Sequence, residues 1–227
     1  MQETRHRFHE QLEDLESALR EEGELAERAV ARSVEALGRG DVELARSVIA
    51  EDDAVDDRYL SIERHVLDLL ATQSPVASDL RLLSAILHIN LHLERIGDMA
   101  VNIAKIYLSV RELPPAPATV TRIQEMGDVV RPLIRTAMEA FISRDLQKCL
   151  ALPEMDDPVD RLNLGMYQEV AALAGDRERL PWGLRMNVIA RQLERVGDHA
   201  VDIAEQAAFL ITGEFREFTD ASHEVSP

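Results

Sequence analysis

The sequence predicts an all-α protein of six helices, arranged as two halves of three. Three observations predict it. Apolar residues recur at helical spacing through most of the chain. A Pro-rich stretch, Leu113-Pro114-Pro115-Ala116-Pro117-Ala118, divides the chain near its middle. A twelve-residue string also occurs on each side of that divide: LERIGDMAVNIA at residues 93–104 and LERVGDHAVDIA at 193–204, identical at nine positions. Composition agrees, because aromatics are only 4% while Ala, Leu, Val, Arg and Glu dominate, a mixture suited to helices with aliphatic cores.

The first helix is expected from about Thr4 to Leu37, where Gly38-Arg39-Gly40 ends it and Asp41 caps the next. The second runs to about Thr72 and is broken by Ser74-Pro75. Ser78 is the expected cap of the third, which reaches about Arg111. Past the linker, Thr119 or Thr121 is the expected cap of the fourth helix, ending near Ser143, with Pro132 a mild disturbance. Asp145 then repeats the part of Asp41. Pro153 and Pro158 predict a kink or an irregular start in the fifth helix. The sixth spans about Leu180 to Ile211, with Gly213 beyond it. The organisation is a first repeat over 1–112, a linker over 113–118, a second repeat over 119–213 and a loosely ordered tail over 214–227.

Charge and cysteine usage narrow the function classes. Forty-two acidic against 25 basic residues give a net charge of −17, with no basic run. Nucleic acid, a polyanion bound through clustered Lys and Arg, is therefore not an expected partner. A cation or a basic protein surface is. Cys149 is the only cysteine, so no intramolecular disulfide forms. The N-terminus carries no apolar signal segment and no stretch is long enough to span a bilayer, so a cytoplasmic protein without membrane insertion is expected.

The candidate site residues are acidic and repeated. Glu94, Asp98 and Asn102 fall one above another on the third helix, roughly 130–170° from its apolar stripe. Glu194, Asp198 and Asp202 match them on the sixth. Asp52 and Asp56 on the second helix, and Asp156 and Asp160 on the fifth, form further i, i+4 pairs at the border of the apolar face. Like charges at that spacing cost about 0.2–0.5 kcal/mol per pair. Two helices offering two carboxylates each would make a hard, oxygen-rich site for a multivalent cation; a solvated acidic face is the alternative that spacing leaves open. Gly97 and Gly197 stand mid-helix at a cost of about 0.5–1 kcal/mol, which implies close packing of a helix or ligand there. His88 and His92 have metal-binding spacing but point away from the carboxylates, which suits a flank or interface; His199 adjoins Asp198.

The two twelve-residue strings resemble the repeated signature of the PhoU family, as does the lead SPVASDLRLLSAILHINLHLERIGD, over about residues 8–212. The resemblance implies two tandem three-helix bundles related by a pseudo-twofold axis. It also implies multinuclear iron or zinc clusters held by acidic motifs, here Asp52/Asp56, Glu94/Asp98, Asp156/Asp160 and Glu194/Asp198, two of them extended by Asn102 and Asp202. It further implies a homodimeric negative regulator of phosphate uptake and phosphate-starvation signalling, working between a phosphate ABC transporter's ATPase subunit and a sensor histidine kinase. The second half departs from the pattern at Leu180-Pro181-Trp182-Gly183-Leu184-Arg185, where the first has its Asp-Leu-Arg lead. No enzyme is expected. A ferritin-like oxidase needs inward Glu-x-x-His motifs, and the one such pair is Glu3/His6 at the N-terminus. A metal-free interaction protein is the other alternative.

Overall fold

The structure, a computed structural model, describes residues 2–218, with side chains from His6 onward. All described regular elements are α-helices: α1 (Gln2–Arg39), α2 (Val42–Ala50), α3 (Asp52–Gln73), α4 (Ser78–Val110), α5 (Pro117–Ser143), α6 (Leu146–Ala172) and α7 (Leu180–Thr212). The six expected helices are present, the second divided at Glu51 into α2 and α3. α6 is helical from Leu146 onward with Pro153 and Pro158 inside it, so the irregular start is not found, and the one break within an expected helix falls at Glu51 in the first half. Asp145 explains the regular start: its side chain accepts from the backbone N–H groups of Gln147 and Lys148, as Asp41 accepts from Leu44.

Two expected caps are not used. Ala77, not Ser78, precedes α4, and Ala116 precedes α5, where Pro117 takes the first turn. Thr119 is instead inside that first turn, donating to the Ala116 carbonyl and accepting from Trp182 Nε1 at 3.2 Å. That buried bond gives the departing Leu180–Arg185 stretch its role: Trp182 anchors the start of α7 to the start of α5. Glu3 and residues 219–227 of the expected tail lie outside the described side chains. Residues 214–218 fold back on α7, Phe218 N–H donating to Glu205 and Phe215 meeting Phe209 edge-on.

One continuous apolar core runs through both halves. The halves meet where α1 packs on α5 and α4 on α7. With Asp41 aligned on Asp145, Gly23 corresponds to Gly127 and Val34 to Met138. The contacts are reciprocal: a Cβ at Gly23 would meet Met138, and one at Gly127 would meet Val34. This is the signature of two equivalent units related by a twofold operation. Gly127→Ala should cost about 1–3 kcal/mol, because Val34 offers Cγ1 at 2.8 Å and Cγ2 at 3.1 Å to the new methyl and its branched χ1 cannot turn away. Gly175→Ala, with nothing within 4 Å, is the control. Thermal melts that rank the two alike would refute the close approach. Among the described residues no helix is long and apolar enough to cross a membrane.

Candidate metal centre

In the first half, Asp52 opens α3 and Asp56 follows one turn later, while Glu94, Asp98 and Asn102 lie along α4. The two helices pack together, and Gly97 permits the approach: a Cβ there would lie 3.3 Å from Val55 Cγ1. The four carboxylates share one electrostatic field. Burial raises the Asp52 carboxyl above its ordinary value, then Asp56 and Asp98 add to it while Lys105 opposes. Burial likewise raises Glu94, with Asp98 and Asp56 adding and Arg95 opposing. Asn102 is exposed at the end of the row.

The second half draws its acids in deeper. Asp156 is 8% exposed, and burial, then Asp160 and Asp198, push its carboxyl up to about 7. Its Oδ1 has no hydrogen-bond partner and occupies the space where a Cβ on residue 197 would stand, so a side chain there would force Asp156 to move. Burial raises Asp198 too, with Asp160 adding and Arg191 opposing. Glu194 is buried, not on an outer face as its angle from the α7 stripe implied. The angle measures one helix alone, whereas α4, α5 and α6 all pack on α7. Arg191 pairs with Glu194 Oε1, and Oε2 is left without a partner. Asp202 turns aside from the row toward His92 and His199.

Two groups of the neighbourhood have no counterpart in the acidic pattern. Glu22 of α1 is fully buried, neither oxygen is hydrogen-bonded, and it lies near Glu94 and Arg58; burial pushes it up to about 9, Arg58 opposing and Glu94 adding. Its signal in the sequence is a charged residue on the apolar stripe of Leu15, Leu19, Ala26 and Val30. His92 and His199 meet across the α4–α7 seam, placing His92 at an interface and away from the α4 carboxylates; burial lowers His92 to about 4. No periodicity brings residues from different halves together.

The donor set suits a hard multivalent cation: oxygen-only, mutually repelling, partly desolvated, with unpartnered oxygens on Asp156 and Glu194. Among the described residues these carboxylates do not draw three ligand atoms within 4.8 Å of one another.

Comparison with known proteins bears on both halves. The PhoU domain model matches residues 19–107 and 123–207. The chain is 35% identical to the phosphate-specific transport system accessory protein PhoU homolog of Caulobacter vibrioides, over 91% of this chain and 90% of that protein. It is 33% identical to the homolog of Clostridium acetobutylicum, over 96% of this chain and 100% of that one. The crystal structure of PhoU from Pseudomonas aeruginosa superposes with a TM-score of 0.87 at 32% identity, covering 91% of this chain and all of that one. That of the phosphate transport system regulatory protein PhoU from Streptococcus pneumoniae gives 0.85 at 29%, covering 92% and 99%.

Proposed function

Because the chain belongs to the PhoU family, we propose that it is a negative regulator of phosphate uptake and phosphate-starvation signalling, acting as a homodimer between the ATPase subunit of a phosphate ABC transporter and a sensor histidine kinase. The observation that carries this reading is the match of both halves to the family domain, with relatives named as accessory proteins of phosphate transport. A net charge of −17 supports action through protein surfaces with basic patches rather than through DNA. The naming of relatives as accessory proteins of phosphate transport supports a regulator over an enzyme.

In this reading Asp52, Asp56, Glu94 and Asp98, with Asn102, hold one iron or zinc cluster. Asp156, Asp160, Glu194 and Asp198, with Asp202, hold the other. Bound metal supplies positive charge that cancels the carboxylate repulsion and locks α3 to α4 and α6 to α7. The chain's own contribution is the spacing: glycines 97 and 197 let the facing helices close, and Arg95 and Arg191 trim the charge. Pull-downs from cells of the source organism, at high and low phosphate, test the proposal with the transporter ATPase subunit and the sensor kinase as the proteins sought. Retention of both at high phosphate is the expected result. Retention of neither in either condition would overturn it.

A further inference from the structure

The two histidines at the seam between the halves take no part in the acidic rows, yet they meet each other and a third polar atom at close range. His92 Nδ1 on α4 lies 3.0 Å from His199 Nδ1 on α7. His199 Nδ1 lies 3.2 Å from Asp202 Oδ2, and His92 Nδ1 lies 3.4 Å from the same oxygen. The three atoms form a nearly equilateral triangle, with both imidazoles largely enclosed.

Protons do not satisfy this triangle. If His92 carries the Nδ1 proton, the His199 lone pair faces the carboxylate. If His199 carries it, the His92 lone pair does. If both carry one, both can donate to Asp202 Oδ2, but the two donor nitrogens then crowd each other at 3.0 Å. In each tautomer one edge is repulsive, and His199 Nε2 is buried with no hydrogen-bond partner. A cation resolves all three edges at once, because every lone pair then points at it. Ligands held at about 2.0–2.1 Å by a tetrahedral zinc ion stand about 3.3 Å apart, the size of the triangle observed.

We propose that His92, His199 and Asp202 form a mononuclear site for a divalent transition-metal ion, with zinc as the type, whose fourth position is open to water or an anion. Among the described residues this is the one group whose three ligand atoms all lie within 4.8 Å. Two imidazoles and a carboxylate select Zn²⁺ and its transition-metal neighbours over Mg²⁺ or Ca²⁺. With Glu94 aligned on Glu194, His92 corresponds to Gln192 and His199 to Met99, so the site occurs once per chain. It joins a helix of the first half to one of the second. It goes beyond the carboxylate clusters and does not rest on them; Asp202 alone belongs to both sets.

The repeat supplies the test variants, since His92→Gln and His199→Met install what the other half carries at the same place. Chelator-stripped full chain is titrated with Zn²⁺, and the loaded protein is examined by zinc X-ray absorption and by ¹⁵N NMR of the histidine rings. The expected result is imidazole scattering in wild type and in the Glu94→Gln/Asp98→Asn protein, and its loss in either histidine variant with at least a tenfold weaker first equivalent. In wild type the Nδ1 resonances of both rings should move with the first equivalent, a readout independent of how the variants fold. Oxygen-only coordination in wild type, or unmoved rings at saturation, would overturn the site. The cluster reading fails by a different sign, namely Glu94→Gln/Asp98→Asn protein that binds as much metal as wild type.

Discussion

Replacing Glu22 by methionine should stabilise the metal-free protein by about 3 kcal/mol at pH 7. Glu22 has no exposed surface and no hydrogen bond to either oxygen, and burial is the main reason its carboxyl is held up at about 9. The unfolded chain, with the carboxyl near its ordinary 4.5, is ionised at pH 7, so folding must take up a proton. The stability this group contributes is therefore whole below about pH 4.5 and is lost as pH rises toward 9. Between 4.5 and 7 the loss is about 1.4 kcal/mol per unit. Met126, at the aligned position of the second half, is fully buried, so the repeat has already accommodated methionine there. Denaturant titrations with chelator at pH 5, 7 and 9 should show a variant with a shallower decline than wild type and a melting point at pH 7 higher by about 6–12 °C. A variant less stable than wild type at pH 7 would mean that Arg58 holds Glu22 as a true ion pair.

Stripping metal from wild type should lower its melting point by about 5–10 °C, the shift expected for a ligand present at a hundred times its dissociation constant and bound only by the folded state. Asp98→Asn with Asp198→Asn should lower bound metal and at least halve that difference. Without metal the same changes should be neutral, or stabilising by about 0.2–0.5 kcal/mol for each like-charge pair removed. The measurement is a four-way melt, wild type and double variant with and without chelator, alongside elemental analysis. Identical melting points for wild type in both conditions, with no metal found, would return the carboxylates to a solvated acidic face.

The elements that local chemistry determines were legible in the residues alone. Asp41 and Asp145 cap as their spacing implies, Gly213 closes α7 in a left-handed turn, and Gly97 and Gly197 mark close approaches. Other features depend on partners distant in sequence. Glu194 is polar by type and buried by the three helices that pack on α7. Pro153 and Pro158 predict a kink or an irregular start, yet α6 starts regularly and runs through them while the proline-free second helix divides at Glu51. The His92–His199 pair is separated by 107 residues, and nothing short of the fold itself announces it.

The reciprocal glycines at the α1–α5 crossing have one more consequence. In a dimer of identical subunits, every change at a twofold interface is made twice, so a residue useful on one side must be tolerated on the other. Fusing the two units into one chain removes that constraint. Each side of the seam can then be altered alone: Glu22 faces the first acidic row while methionine fills the aligned place, and two histidines meet where their aligned positions hold glutamine and methionine. Duplication thus gives the fold a symmetric frame whose chemistry is free to become one-sided.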